Sequence, residues 1–189
     1  MANAIVTPEI RISYARLLEP AAAEAGGELK YSVLLPIPKE TAGGQAFLKK
    51  LNERIEEVII DKWGKRPPGL TIWMNDGDDP EDDREEYRGH MLINVKSKRR
   101  PGIVVYNPDD QENETLTPLD EYCFASGKSA EEIVYSGTYA RVSVMPFAYE
   151  WQKKKGVSFG LNNVLITKPG EGEPYVGSSA KQDFKDLVD

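Results

Sequence analysis

Apolar and polar residues alternate at period two in several stretches of this 189-residue chain, and that spacing predicts half-buried strands. In residues 8–19, Ile10, Ile12 and Tyr14 fall on one side and Arg11, Ser13 and Ala15 on the other. In residues 28–37, Leu29, Tyr31, Val33 and Leu35 oppose Lys30 and Ser32. Residues 90–98 turn Met91, Ile93 and Val95 inward and Asn94, Lys96 and Lys98 outward. Residues 137–151 read as a long strand with Ala140, Val142 and Val144 buried and Tyr139, Arg141 and Ser143 outward. Pro146 interrupts it, at a bulge or an edge. Residues 103–106 and 157–166 add two more strands, and 70–75 a short strand or edge. Pro101-Gly102 reads as the turn of a hairpin between 90–98 and 103–106, and KKKG (153–156) as the next turn.

One segment has helical spacing instead. Phe47, Leu48, Leu51, Ile55, Val58 and Ile59 recur on one face over about 45–62, with Lys, Glu and Arg opposite. Thr41 suits the N-cap, and Gly64 with Pro67-Pro68 ends the helix. Six or seven strands with one main helix predict a mainly β fold. We expect an OB-fold, an antiparallel five-stranded Greek-key barrel with extra strands and loops. Residues 1–168 form its single domain, and the Gly-, Pro- and Ser-rich residues 169–189 form a flexible acidic tail.

Charge changes the picture. The formal net charge is −7, yet residues 87–107 hold five Arg or Lys and no acid. Eight acids crowd residues 76–86 before it, and eight more lie in 108–132 after it. A basic, strand-like segment in an acidic chain points to a local anionic partner. A solvated charged turn is the bland alternative. No apolar run approaches the roughly 20 residues of a membrane span. The start, MANAIVTPEIRIS, lacks the character of a signal peptide. With a single cysteine, Cys123, an internal disulfide is excluded. These readings predict a cytoplasmic protein, in the host cytoplasm if the chain is phage-encoded. The one histidine, His90, excludes multi-His metal sites and disfavours a Ser–His triad.

The outward residues of the predicted strands form one set: Arg11, Ser13, Lys30, Ser32, Asn94, Lys96, Lys98, Tyr139, Arg141 and Ser143. Cations for phosphates and flat rings for bases are what single-stranded nucleic acid requires. Two basic clusters add to it, Lys96, Lys98, Arg99 and Arg100 in KSKRR and Lys153, Lys154 and Lys155 in KKK. If they gathered in space they would clamp phosphates. Tyr106, Tyr149 and Trp151 stand beside them; Tyr106, Tyr139 and Trp151 are the stacking candidates. The acidic run fails the EF-hand pattern at Pro80 and Glu81. It leaves a metal-dependent nuclease as an alternative. No P-loop, GxGxxG or GxSxG is present, and no cofactor is expected.

In order along the chain stand RISYARLLEP (11–20), GGELKYSVLLPIPK (26–39), DGD (76–78), GHMLINVKSKRRPGIV (89–104), YSGTYARVSVMPFAY (135–149) and GLNNV (160–164). Together they resemble a family of phage and prophage single-stranded DNA-binding proteins, first catalogued as a domain of unknown function. The resemblance spans roughly residues 8–189. It implies an OB-fold, a replication or recombination setting, no enzymatic activity, and an acidic C-terminal tail that contacts replication proteins. Asp183, Phe184, Asp186 and Asp189 would serve as that tail's contacts. Phe184 stands five residues from the end, a departure from tails that close on an aromatic.

The resulting expectation is sequence-tolerant single-stranded DNA binding in phage replication or recombination, without membrane contact. A nuclease using residues 76–86 and a phage structural or adaptor protein are the alternatives. A homo-oligomer is a further assembly that the sequence admits.

Overall fold

The computed structural model describes residues 4–170; Asp183, Phe184, Asp186 and Asp189 lie outside the described residues. The chain opens with β1 (Ile5–Val6), β2 (Ile10–Arg11), β3 (Ser13–Ala21) and β4 (Lys30–Pro38). Then come α1 (Ala42–Trp63), β5 (Thr71–Ile72), β6 (Met74–Asp76), a 3-10 turn at Glu85–Tyr87, β7 (His90–Ser97) and β8 (Gly102–Tyr106). β9 (Leu116–Pro118), α2 (Leu119–Ser126) and α3 (Ala130–Ile133) lead into the two longest strands, β10 (Tyr139–Trp151) and β11 (Lys154–Lys168).

β10 and β11 pair antiparallel along their length. β11 also runs parallel to β5, β7 and β8. β7 pairs with β4, and β4 with β3. β10 takes β1 and β2 on its other edge. Ile12 links β2 to β3 and exchanges backbone hydrogen bonds with Thr138 and Gly137 at 3.0 and 2.8 Å. β2 thus meets β10 while β3, directly after it, meets β4, and the result is an unclosed OB-like sheet that is mixed rather than wholly antiparallel.

Period-two alternation is why these segments are strands. Ile12, Val33, Leu35, Ile93, Val95, Val142, Val144, Val157 and Phe159 all point inward and are at most 1% exposed. Burying each such side chain contributes about 1.5–3 kcal/mol. α1 presents Phe47, Leu51, Ile55 and Ile59 to this interior, packing on β10, β4 and β1. Its N-cap is Thr41, whose hydroxyl accepts from the Gly44 amide at 3.1 Å, and its C-cap is Gly64 at φ 72°. Pro146 sits past the end of the β1 pairing, where β10 is bonded on one side only, so its missing N–H goes unneeded.

Several expectations are corrected. Pro101-Gly102 does not reverse the chain, because β8 runs on beside β11 in the direction of β7. Gly102 serves close approach instead: a Cβ there would lie 2.6 Å from the Asn163 side-chain oxygen. Tyr14 does not share the inner face with Ile10 and Ile12 but is 61% exposed, at φ 48°. Leu29 lies before β4 begins and is likewise exposed. The KKK turn is made by Gln152 and Lys153, both at positive φ, while Lys154 and Lys155 already belong to β11. Between β8 and β10 the acidic stretch carries β9 and α2.

The acidic run folds back over β6 and β7 and is pinned by its own cations. Arg88 donates to the carbonyls of Gly77, Asp79 and Asp82 at 2.7, 3.0 and 2.5 Å. The Gly89 amide donates to Asp78 at 2.8 Å. Arg88→Ala should therefore lower folding stability by about 1–2 kcal/mol, since charged hydrogen bonds are the stronger kind and these are partly screened. Urea denaturation checks this, with a midpoint equal to wild type as the contrary result.

Candidate nucleic-acid interface

The outward face of the curled sheet is built by the same registers that fill the core. Arg16 pairs with Ser32, Ser32 with Lys96, Lys96 with Gly160, and Gly160 with Met145. This row crosses β3, β4, β7, β11 and β10. Asn94 lies two residues from Lys96 on β7 and is exposed, while Leu34 opposite it is half-buried. The result is a shallow polar floor with cations at Arg16 and Lys96.

Aromatic rings stand at one end of that floor. Continuing outward along β10, Met145 is followed by Phe147, Tyr149 and Trp151. Phe147 is 46% exposed and Trp151 65% exposed. Trp73, between β5 and β6, is 57% exposed, and its indole N–H donates to the Tyr149 hydroxyl. The Trp73 amide donates to the Val157 carbonyl at 3.1 Å, which seats the residue against β11. The hydroxyl end of Tyr149 lies over Gly156, where a Cβ would come within 2.6 Å of it. Phe147 and Tyr149 have ring centroids 6.4 Å apart. Tyr149 itself is half-buried, and the exposed rings it links mark an interaction surface.

The cations divide by their partners. Glu28 bridges Lys98 at 2.5 Å and Lys30 at 3.1 Å, and Lys98 first, then Lys30, holds its carboxyl below the usual range. Lys96, Arg99, Arg100 and Arg141 make no salt bridge among the described residues. In the acidic loop Lys39 reaches both Asp76, at 2.5 Å, and Asp78. Arg84 forks onto Asp82 at 2.9 and 2.7 Å and holds its carboxyl down to about 2. Because that pKa is depressed, the Asp82 contribution is present above its ordinary value and disappears as pH falls towards 2. No group of three or more metal-binding side chains gathers here or elsewhere among the described residues.

The sequence-predicted residues fall into three groups, with Lys155 and Tyr106 standing apart from them. Lys96, Lys98, Arg99 and Arg100 follow one another at the β7–β8 bend, with Lys30 beside them through Glu28. Trp151, Lys153 and Lys154 occupy the tip of the β10–β11 hairpin. The two basic clusters are not gathered: β11 runs from Lys154 to Asn163, beside Gly102, about 30 Å at about 3.3 Å per residue. Lys155 turns to the other face, 5.8 Å from the centre of the Trp63 ring. Arg11, Tyr139 and Arg141 form a third group at the opposite end of β10. There Arg11 donates to the Gly137 carbonyl at 3.0 Å. Lys168 covers the Tyr139 ring at 4.4 Å from its centre. Tyr106 is half-exposed at the end of β8, opposite Leu116.

Comparison with known proteins fits this geometry. The family described as Enterobacter phage Enc34, ssDNA-binding protein, matches residues 3–189. The chain belongs to that family. Its fold resembles the single-stranded DNA-binding protein from bacteriophage Enc34 in complex with ssDNA, at 27% identity and a TM-score of 0.68 over 91% of this chain and 89% of that one. A C-terminal truncation of the Enc34 protein gives 28% identity and a TM-score of 0.68, over 91% and 88%. The gp2.5 single-stranded DNA-binding protein encoded by bacteriophage T7 shares the fold alone, at 14% identity and a TM-score of 0.56 over 100% and 96%. No curated protein sequence matches.

For this member of the Enc34 family, sequence reasoning passed over Arg16, Trp73, Phe147 and Tyr149 as site residues. Phe147 and Tyr149 had a signal, since they continue the outward series of Tyr139, Arg141 and Ser143 beyond Pro146. Trp73 had none, because its place depends on β5 reaching β11 from far away in sequence. Gly156→Ala should displace the Tyr149 ring and free the Trp73 indole. The amide spectrum should then show one indole N–H signal moved, with those of Trp63 and Trp151 in place. Three unmoved indole signals would contradict the packing of Tyr149 on Gly156.

Proposed function

We propose that this protein binds single-stranded DNA with little sequence preference, as a non-enzymatic coat for unwound strands during phage replication or recombination in the host cytoplasm. The observation that carries this reading is the Trp73, Phe147, Tyr149 group, with Trp73 and Phe147 exposed and Tyr149 half-buried between them, standing at the end of a floor bearing Lys96 and Arg16. Rings stack on bases whatever their identity, at roughly 1–3 kcal/mol per base, while the cations track phosphates. Family membership supports the same partner. On this reading the strand runs from the hairpin tip, past Trp151 and Lys154, over the aromatic group and Lys96 towards Arg99 and Arg100. Arg141, Arg11 and Tyr106 lie on its outer margins. The domain is residues 1–168, and the tail from 169 carries contacts to replication proteins at Asp183, Phe184, Asp186 and Asp189.

The nuclease alternative has less support, because Asp76 and Asp78 are taken up by Lys39 and Asp82 by Arg84. The net charge of −7 is compatible with a basic groove, since charges beyond about 8 Å are screened at physiological salt.

A fluorescence-anisotropy titration with labelled oligo-dT and matched duplex, at two salt concentrations with EDTA, tests the reading. Tight, salt-sensitive binding of the single strand over the duplex is expected; no binding at low salt would sink it and favour an adaptor role. Replacing Lys98, Arg99 and Arg100 by Ala should flatten the salt slope by roughly 0.7 for each phosphate left without its cation. An unchanged slope would remove the cluster from the site. Glu28→Gln should act in the opposite sense, releasing Lys30 and Lys98 to phosphates. Its affinity should rise and its salt slope steepen, whereas weaker binding would show that Glu28 orients those lysines rather than competing for them.

A further inference from the structure

The β3–β4 register slips twice, and the first slip re-aims a side chain. Ser13 pairs with Leu34 and Arg16 with Ser32, so three steps on β3 answer two on β4. The extra residue falls at Tyr14-Ala15, a bulge of the kind that re-aims a side chain. Tyr14 takes φ 48°, a conformation that a bulky residue holds only when its surroundings impose it. Those surroundings are visible. Ile12 is bonded to Thr138 and Gly137, and the Ala15 amide donates to the Ser136 hydroxyl at 2.9 Å. The strained position is thus clamped by the turn that leads into β10.

The product of this strain is an exposed ring. Tyr14 is 61% exposed, although Ile12 and Leu17 to either side are at most 1% exposed. Its neighbours on the outer face are fixed. Tyr14 is close enough to Tyr87 and Arg84 to interact with both electrostatically. The Arg84 guanidinium sits 4.9 Å from the centre of the Tyr87 ring while forking onto Asp82. Tyr87 is buried. Arg16, two residues along β3, is also exposed. Packing cannot explain a clamped, strained and solvent-facing tyrosine, whereas a flat ligand can.

We propose that Tyr14 is a second base-stacking station, separate from the Trp73, Phe147, Tyr149 group and placed at the opposite flank of the floor. The inference rests on the single-stranded DNA reading above and adds a path to it. Between the stations lie β4, β7 and β11, so the spacing from β3 to β10 is four strands, about 19 Å at about 4.8 Å each. The strand therefore crosses the sheet as well as following β11, and only oligonucleotides long enough to span the floor engage both stations.

The test compares wild type, Tyr14→Gly and Tyr14→Phe on a series of oligo-dT lengths, with thermal melting of each protein. Glycine adopts φ 48° freely, so the Gly variant should melt no lower than wild type. Its affinity for long oligo-dT should nonetheless fall roughly 5- to 150-fold, the equivalent of about 1–3 kcal/mol of stacking. Its affinity for short oligo-dT should be unchanged, and the Phe variant should bind like wild type. Wild-type binding with no loss in the Gly variant at any length would overturn the station while leaving the DNA reading intact. A Phe variant as weak as Gly would also overturn it, because the hydroxyl and not the ring would then hold the DNA. Failure of wild type to bind any length would overturn the DNA reading first and this inference with it.

Discussion

The antiparallel pairing of β10 with β11 is the constraint on which the rest of the molecule depends. β11 supplies the edge for β5, β7 and β8, and β10 the edge for β1 and β2. Because the side-chain period is two, this register fixes what faces in and what faces out at once. Inside, Val142, Val144, Val157, Phe159 and Val164 are essentially fully buried. Outside, packing makes no such demand, so the outward series of β10 is free to carry chemistry. It runs from Tyr139 and Arg141 at one end to Phe147, Tyr149 and Trp151 at the other. Leaving large rings in water forgoes burial energy, and a ligand with flat apolar faces recovers it.

Much of the fold was legible because alternation is a local signal. The cores of β4, β7 and β10, the α1 stripe with its Thr41 and Gly64 caps, and the mainly β class all followed from spacing. What escaped depended on packing between segments distant in sequence. Pro101-Gly102 carries the chemistry of a turn, yet the glycine serves close approach to Asn163. Tyr14 occupies the apolar phase of its strand, and no glycine advertises the left-handed residue; only the clamp from Ser136, Gly137 and Thr138 puts it there. In the site, the cations around Lys96 were readable from composition, but their separation from Lys153 and Lys154 was not. Sequence distance says nothing of two clusters lying at opposite ends of one strand.

The acidic loop shows how an anionic chain keeps a cationic face. Residues 76–89 are organised by Lys39, Arg84 and Arg88, so several of its acids are already paired with local cations. Glu28 does the reverse on the basic side, holding Lys30 and Lys98 in place of an external anion. A lysine neutralised in the free protein gives less on binding a phosphate, because the internal pair must first be broken. Lys96, Arg99 and Arg100, which make no salt bridge among the described residues, are by that argument the larger contributors to salt-dependent binding.

Preference for a single strand then follows from which part of the nucleic acid the rings can reach. Phosphates are exposed on duplex and single strand alike, so the cations around Lys96 discriminate weakly. A base face is available only when the base is unstacked and unpaired. Tyr149 is held against Gly156 and by the Trp73 indole, so the ring is less free to follow a groove edge than an untethered side chain. Fixing it beforehand removes an ordering cost for the ligand that fits and offers nothing to one that does not. Selectivity on this reading resides in the rigid aromatic end of the floor and affinity in the cationic remainder, and the two are separable by mutation because they occupy different strands.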